Sequence, residues 1–86
     1  MDTILVVEDN EKNMKLVRDV LAVKGYTTIE AITAEDGIEL ARERHPDLIL
    51  MDIQLPGMNG IDALKILRSE SGTAAIPVLA VTASVM

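Results

Sequence analysis

Short apolar runs alternate with longer segments of helical period along the whole chain, and this alternation limits the fold more than any other feature. The runs are rich in Val, Ile and Leu, which is typical of short strands that are buried on both faces. The run at 27–31 is more polar and alternating, as expected for a strand at the edge of a sheet. The four runs are 4–7, 27–31, 48–51 and 77–81.

Between the runs, apolar residues recur every three or four positions, which predicts three amphipathic helices. Gly25 is expected to end the first helix in a left-handed conformation. Thr33 is predicted to cap the second helix, which must stop before Pro46. Asn59 is a candidate cap for the third, which ends near Gly72. The side chains predicted to face inward are Met14, Val17, Val20, Leu21, Ile38, Leu40, Ala41, Ile61, Leu64 and Leu67.

The resulting order, β-α-β-α-β-α-β, predicts an α/β fold with a doubly wound parallel sheet. The chain has 86 residues, no internal repeat and no linker-like segment, so we expect residues 1–86 to form one domain. Because the chain has one Tyr and no Phe or Trp, its core must be built from aliphatic side chains and Met.

Composition argues against several classes of function. A net charge of −6 disfavours nonspecific nucleic-acid binding, which requires clustered Lys and Arg. The apolar runs are too short to span a bilayer, and no signal-peptide pattern precedes the first run. The absence of Cys fits a reducing compartment. We therefore predict a cytoplasmic protein that binds neither nucleic acid nor membrane.

Polar residues follow three of the predicted strands at the point where each strand ends. Glu8 and Asp9 follow the first strand, Asp52 follows the third, and Thr82 follows the fourth. The carboxyl ends of parallel strands lie at one edge of an open sheet, where ligands bind. The fold is therefore expected to bring these four residues together.

Three converging carboxylates repel one another unless a cation or protons lie between them. Mg²⁺ prefers oxygen ligands, so Asp9 and Asp52 are candidate direct ligands and Glu8 is a candidate ligand through water. A carboxylate beside a metal can attack phosphorus, with the Thr82 hydroxyl donating to a phosphoryl oxygen. Taken singly, each residue has a simpler explanation, such as helix capping or turn formation. Their joint position at one edge of the sheet favours a metal-binding and phosphoryl-transfer site.

Three segments, "ILVVEDN", "PDLILMDIQLPGMNG" and "IPVLAVTAS", resemble the receiver domains of two-component response regulators. The resemblance extends over all 86 residues and is greatest to stand-alone receivers of the DivK type. It implies a flavodoxin-like fold and a phosphoryl group transferred to Asp52 from a histidine kinase or a histidine phosphotransfer protein. It also implies a Mg²⁺ site of Asp9, Asp52 and the backbone carbonyl of Gln54, with Glu8 beside it and Thr82 as the switch hydroxyl.

Receivers of this family continue with a further helix, a fifth strand that ends in a Lys-Pro pair, and a last helix. Those elements have no counterpart before Met86. We therefore expect the N-terminal two thirds of a receiver, β1 to β4, with strand order 2-1-3-4. Strand 78–81 then becomes an exposed apolar edge, which predicts a homodimer through that strand.

Two other functions remain open at this point. An aspartyl-nucleophile phosphatase would use a similar sheet, but such enzymes commonly place a second Asp two residues after the nucleophile. That position is Gln54, which cannot transfer protons, so we predict a signalling protein rather than an enzyme with turnover. The other alternative is a fragment that is not phosphorylated and acts by association alone.

Overall fold

The computed structural model describes residues 2–52, 55, 57, 58 and 60–81, in which strands and helices alternate as predicted. The strands are β1 (Thr3–Val7), β2 (Thr27–Ala31), β3 (Leu48–Asp52) and β4 (Val78–Val81). The helices are α1 (Glu11–Val23), α2 (Ala34–Arg44) and α3 (Gly60–Ser69). Gln54, Thr82 and the predicted cap Asn59 lie outside the described residues.

All three strand pairings are parallel, and the strand order is β2-β1-β3-β4. The fold class and strand order predicted from the sequence are therefore confirmed. Register places the strand ends together, because Val7 lies opposite both Ala31 of β2 and Met51 of β3. The loops that leave β1 and β3 consequently start side by side at the carboxyl edge of the sheet.

Local hydrogen bonds explain where the first two helices begin and end. The Asn10 side chain accepts the Asn13 N–H at 3.0 Å, and the Thr33 hydroxyl accepts the Asp36 N–H at 3.1 Å. Each bond satisfies a donor that has no partner within the helix. Past the helix ends, Gly25 and His45 have positive φ angles of 88° and 46°. The left-handed turn at Gly25 is the one predicted from the sequence.

The two faces of the sheet carry separate apolar clusters, because alternate residues of each strand point to opposite sides. The helices α2 and α3 pack against one face, and α1 packs against the other. The buried side chains of the α2/α3 face are Leu5, Val7, Ile29, Ala31, Ala34, Ile38, Ala41, Ile49, Met51, Leu55, Ala63 and Leu67. Those of the α1 face are Ile4, Val6 and Met14.

Two of the side chains predicted to face inward are exposed instead. Val20 of α1 is 50% exposed and Ile61 of α3 is 56% exposed. Helical spacing shows which side chains share a stripe, but the width of the stripe that is covered depends on the neighbouring elements. Val20 flanks the part of α1 that contacts the sheet, and Ile61 lies in the first turn of α3.

No helix within the described residues combines the length and the apolar character that crossing a membrane requires.

Candidate metal and phosphoryl-acceptor site

Glu8 directly follows β1 and is held by backbone contacts on both sides. Its N–H donates to the Ala31 carbonyl at 2.9 Å, which extends the β1–β2 pairing by one residue. Its carboxylate accepts the Asn10 N–H at 3.0 Å, just before α1 begins. Glu8 is consequently only 5% exposed, whereas the next residue, Asp9, is exposed.

Asp52 is the last residue of β3 and pairs in register with Val81 of β4. Its strand lies between β1 and β4, so β3 is paired along both of its edges. Asp52 is 2% exposed, which is unusual for a carboxylate. The backbone therefore holds this acidic group in a fixed position at the end of the apolar strand.

The structure brings three of the predicted site residues together. One carboxylate oxygen from each of Glu8, Asp9 and Asp52 lies within 4.8 Å of the other two. We call these three residues the acidic cluster. Two of its members are buried and one is exposed, so the cluster has an inner part within the sheet edge and an outer part open to solvent.

Burial and the neighbouring carboxylates change the acid–base behaviour of Glu8. The pKa of Glu8 is raised above its ordinary value of 4.5, first because burial disfavours the charged form. The Asn10 N–H opposes this effect by stabilising the carboxylate. The charge of Asp52, a hydrogen bond with Asp52 and the charge of Asp9 raise the pKa further. The arrangement thus favours a bound proton or cation.

The donor set suits a hard divalent cation. All three groups offer carboxylate oxygen, which is the ligand type that Mg²⁺ prefers, and the exposed Asp9 leaves room for coordinating water. A cation at this point would also offset the repulsion that raises the Glu8 pKa. The residues present therefore fit a magnesium site.

A pocket of about 480 Å³ adjoins the acidic cluster on the side of β2. Two cations line it, but each pairs with a carboxylate outside the cluster. Lys15 lies 2.8 Å from Asp19, and Arg18 lies 3.0 Å from Glu30. The lining residues are Glu8, Asp9, Glu11, Met14, Lys15, Arg18, Glu30 and Ile32.

Sequence reasoning missed the backbone contact that positions the buried acid. The Asn10 N–H binds Glu8, while the Asn10 side chain caps α1, so one residue ties the cluster to the helix. The Asn directly after the acidic pair was the available signal, because Asn is a preferred cap.

The chain matches known proteins over nearly its whole length. A family model described as the response regulator receiver domain matches residues 4–86. The polar-differentiation response regulator DivK of Brucella ovis is 50% identical over 84 residues, which cover 98% of this chain and 68% of the relative. The chain therefore spans about two thirds of the length of this curated relative.

Solved structures show the same similarity. The N-terminal domain of a response regulator receiver protein from Methanoculleus marisnigri JR1 has a TM-score of 0.91 at 36% identity, covering 94% of this chain and 66% of that one. The receiver domain of the sensor histidine kinase PA1611 from Pseudomonas aeruginosa PAO1 also has a TM-score of 0.91, at 29% identity. That match covers 99% of this chain and 70% of the other, whose active-site cleft coordinates a magnesium ion.

Proposed function

We propose, given that the chain belongs to the response regulator receiver-domain family, that it accepts a phosphoryl group on Asp52. The donor is a histidine kinase or a histidine phosphotransfer protein of a two-component phosphorelay. The observation that carries this proposal is the acidic cluster, in which the buried Asp52 lies within 4.8 Å of two further carboxylates. Receiver domains act in signalling and are not enzymes in the ordinary sense.

Each residue of the site has a separate part in the proposal. Asp9 and Asp52 would hold Mg²⁺ directly, together with the backbone carbonyl of Gln54, and Glu8 would hold it through water. Thr82 would be the switch hydroxyl that donates to the phosphoryl group. The convergence of the three carboxylates supports the metal-binding roles of Asp9, Asp52 and Glu8. The roles of Gln54 and Thr82 stay predictions from the sequence.

In the proposed transfer, a carboxylate oxygen of Asp52 attacks the phosphorus of a phosphohistidine. The new O–P bond forms an acyl phosphate, while the P–N bond breaks and its electron pair stays with the departing imidazole, which takes up a proton. Bound Mg²⁺ supplies neutralisation of charge on the phosphoryl oxygens. The chain supplies the position of the nucleophile, because the last residue of a paired strand has little freedom to move.

Intact-mass measurement after incubation with Mg²⁺ and a small phosphodonor, such as phosphoramidate, tests the acceptor. We expect one phosphoryl group, sensitive to hydroxylamine, on the native chain and none on Asp52→Asn, which keeps the shape but removes the nucleophile. The control is Asp36→Asn, an exposed carboxylate of α2, which should behave as the native chain does. Phosphate incorporation that persists in Asp52→Asn would refute the assignment.

The same experiment separates the alternative functions. A phosphatase would release inorganic phosphate over many turnovers instead of holding one phosphoryl group. A fragment that acts by association alone would gain no mass. The cytoplasmic location, the assignment of residues 1–86 to β1–β4 of a receiver, and pairing of a second copy along β4 all stay predictions.

Magnesium should also stabilise the fold, because binding to the native state alone shifts the unfolding equilibrium. At 100 times the dissociation constant, the gain is about 2.7 kcal/mol. Thermal unfolding with and without millimolar Mg²⁺ measures it, and Asp9→Ala should lose it while Asp36→Ala keeps it. An unchanged melting temperature of the native chain would contradict the metal site.

A further inference from the structure

The connection between α3 and β4, residues 70–77, is held at its strand end by one arginine. Arg68, in the last turn of α3, donates from Nη1 to the carbonyl oxygens of Ala74 and Ile76 at 2.9 and 2.7 Å. We call this arrangement the Arg68 clamp. Hydrogen bonds from a charged guanidinium are stronger than those between neutral groups. The clamp therefore closes the connection into a loop just before the strand begins.

Two further contacts hold the earlier part of the connection. The Thr73 side chain is 1% exposed, and its hydroxyl donates to the Leu67 carbonyl at 2.7 Å. Arg42 of α2 donates to the Glu70 carboxylate at 2.8 Å. These contacts tie the connection to α3 and α2, whereas the Arg68 clamp acts on Ile76, two residues before β4.

The pairing of β4 with β3 starts directly after the Arg68 clamp. The Ile49 N–H of β3 donates to the carbonyl of Pro77, the residue after Ile76, at 2.9 Å. At the other end of this pairing, Val81 lies opposite Asp52. The clamp therefore lies where β4 meets β3, and the paired strand carries that placement to the phosphoryl acceptor.

The sequence of β4 does not fix its own register. All four residues of Val78–Val81 are apolar, so a slip by one position would exchange apolar side chains for apolar side chains on both faces. Such a slip moves a strand by about 3.3 Å along its axis. A hydrogen bond spans about 2.7–3.2 Å between donor and acceptor, so a polar group directly after β4 would lose its partner.

We propose that Arg68 is a positioning residue for phosphoryl transfer to Asp52. The Arg68 clamp fixes the register of β4, and the register sets where the chain leaves the sheet beside Asp52. The residue that follows β4 in the sequence is Thr82, the proposed switch hydroxyl. This inference rests on the proposed function and adds to it a residue at the amino edge of the sheet, whereas the acidic cluster lies at the carboxyl edge.

Cross-strand nuclear Overhauser effects between β3 and β4 measure the register and do not depend on phosphorylation. The native chain should show the pairing of Leu50 with Leu79. Arg68→Met, which keeps the stem and removes the donors, should lose this set or add a shifted one. Arg68→Lys, which keeps a charged donor, should restore the native set. Trimethylamine oxide, an osmolyte that favours the compact state, keeps the variants folded during the measurement.

Arg42→Met is the matched control, because it removes another exposed arginine that binds the same connection. It should keep the native register, since Glu70 lies at the start of the connection and exposed ion pairs contribute little to stability. A native register in Arg68→Met would overturn the inference. So would a register that is lost to the same extent in Arg42→Met.

The rate of phosphorylation by phosphoramidate with Mg²⁺ separates positioning from a loss of stability. Arg68→Met should lower the saturated rate by about 10–100-fold, because misplacement by about 1 Å can cost that much, and should leave the half-saturating phosphoramidate concentration unchanged. In a Thr82→Ala background, Arg68→Met should have no further effect. A variant that is merely destabilised would lower the rate by the same factor in both backgrounds, and that result would overturn the inference.

Failure of the inference and failure of the proposed function give different results. A native chain that gains no phosphoryl group refutes the proposed function. A native chain that is phosphorylated no faster than Arg68→Met refutes the positioning role of Arg68 and leaves Asp52 as the acceptor.

Discussion

The two faces of the sheet are built from the same strands and are covered to different extents. On the α2/α3 face, Ile49 and Met51 of β3 are 0% and 1% exposed. On the α1 face, their neighbours Leu48 and Leu50 are half-buried. The side chains are equally apolar, so the difference lies in which helices cover them and not in the strand itself.

The strand β1 does not show this difference. Leu5 and Val7 on one face and Ile4 and Val6 on the other are all at most 4% exposed, because helices cover β1 on both sides. The asymmetry therefore begins at β3 and extends to β4, where Leu79 is exposed. With both of its faces covered, β1 forms the stable centre of the described sheet.

Adjacent residues of β3 test this comparison most directly. Ile49→Ala should destabilise the fold by about 2–5 kcal/mol, because it leaves a cavity among fully buried neighbours. Leu50→Ala should cost clearly less, because its half-buried side chain loses less apolar contact and its site remains open to water. Urea unfolding of both variants, at a low protein concentration that disfavours dimers, measures the two free energies.

If Ile49→Ala and Leu50→Ala lowered the free energy of unfolding equally, the two faces would contribute equally to stability. Ile32→Ala serves as the reference for an exposed apolar residue and should change the free energy of unfolding least, since Ile32 is 63% exposed.

Much of the fold follows from the sequence, because local signals and long-range packing agree. Four apolar runs interrupted by helical segments permit few topologies, and the cap at Thr33 and the turn at Gly25 have their own local chemistry. Convergence of Glu8, Asp9 and Asp52 followed from one rule, that parallel strands end at the same edge.

Tertiary contacts decided what the sequence left open. Val20 is 50% exposed, although it follows the helical spacing of Val17 and Leu21, and no pattern within α1 shows how wide a stripe the neighbouring elements cover. Thr73 is 1% exposed, and its hydroxyl donates to the Leu67 carbonyl at 2.7 Å after the end of α3. A lone Thr in a polar turn gives no sign of that contact. The Glu8 N–H likewise donates to the carbonyl of Ala31 in β2, a contact that nothing in the sequence around Glu8 indicates.

A glycine on the well-covered face provides a second test. A Cβ added at Gly37 of α2 would lie 2.7 Å from a γ-carbon of Val7, so the helix can approach β1 closely only because this side chain is missing. Gly37→Ala should therefore destabilise the fold by about 1–3 kcal/mol through overpacking. This cost should exceed the gain in helix propensity, which is at most about 1 kcal/mol.

The control is Gly72→Ala, whose new Cβ would find its nearest neighbour at 3.9 Å and should change the free energy of unfolding little. Adding Val7→Ala to Gly37→Ala should cost less than the sum of the two single changes, because the smaller side chain relieves the clash. If the losses in free energy of unfolding were additive, contact with Val7 would not be what limits how closely α2 approaches β1.

The smallest expected effect concerns Glu8, at the edge where the two faces meet. Because burial and the neighbouring carboxylates raise its pKa in the folded state, the unfolded chain releases this proton at a lower pH than the folded chain does. Below pH 4.5, Glu8 is protonated in both the folded and the unfolded chain, so its ionisation does not lower the free energy of unfolding. As the pH rises above that value, the free energy of unfolding falls. Glu8→Gln removes the titration and keeps an oxygen that can accept the Asn10 N–H.

The melting temperature of Glu8→Gln in chelator should therefore exceed that of the native chain at neutral pH, and the difference should vanish in acid. Glu43→Gln, at an exposed position of α2, is the control for the substitution itself. Millimolar Mg²⁺ should reduce the advantage of Glu8→Gln at neutral pH, because a cation stabilises the charged cluster of the native chain. A difference that is constant from acid to neutral pH would mean that Glu8 is not destabilising when charged, and the electrostatic case for a cation at this edge would lose its main support.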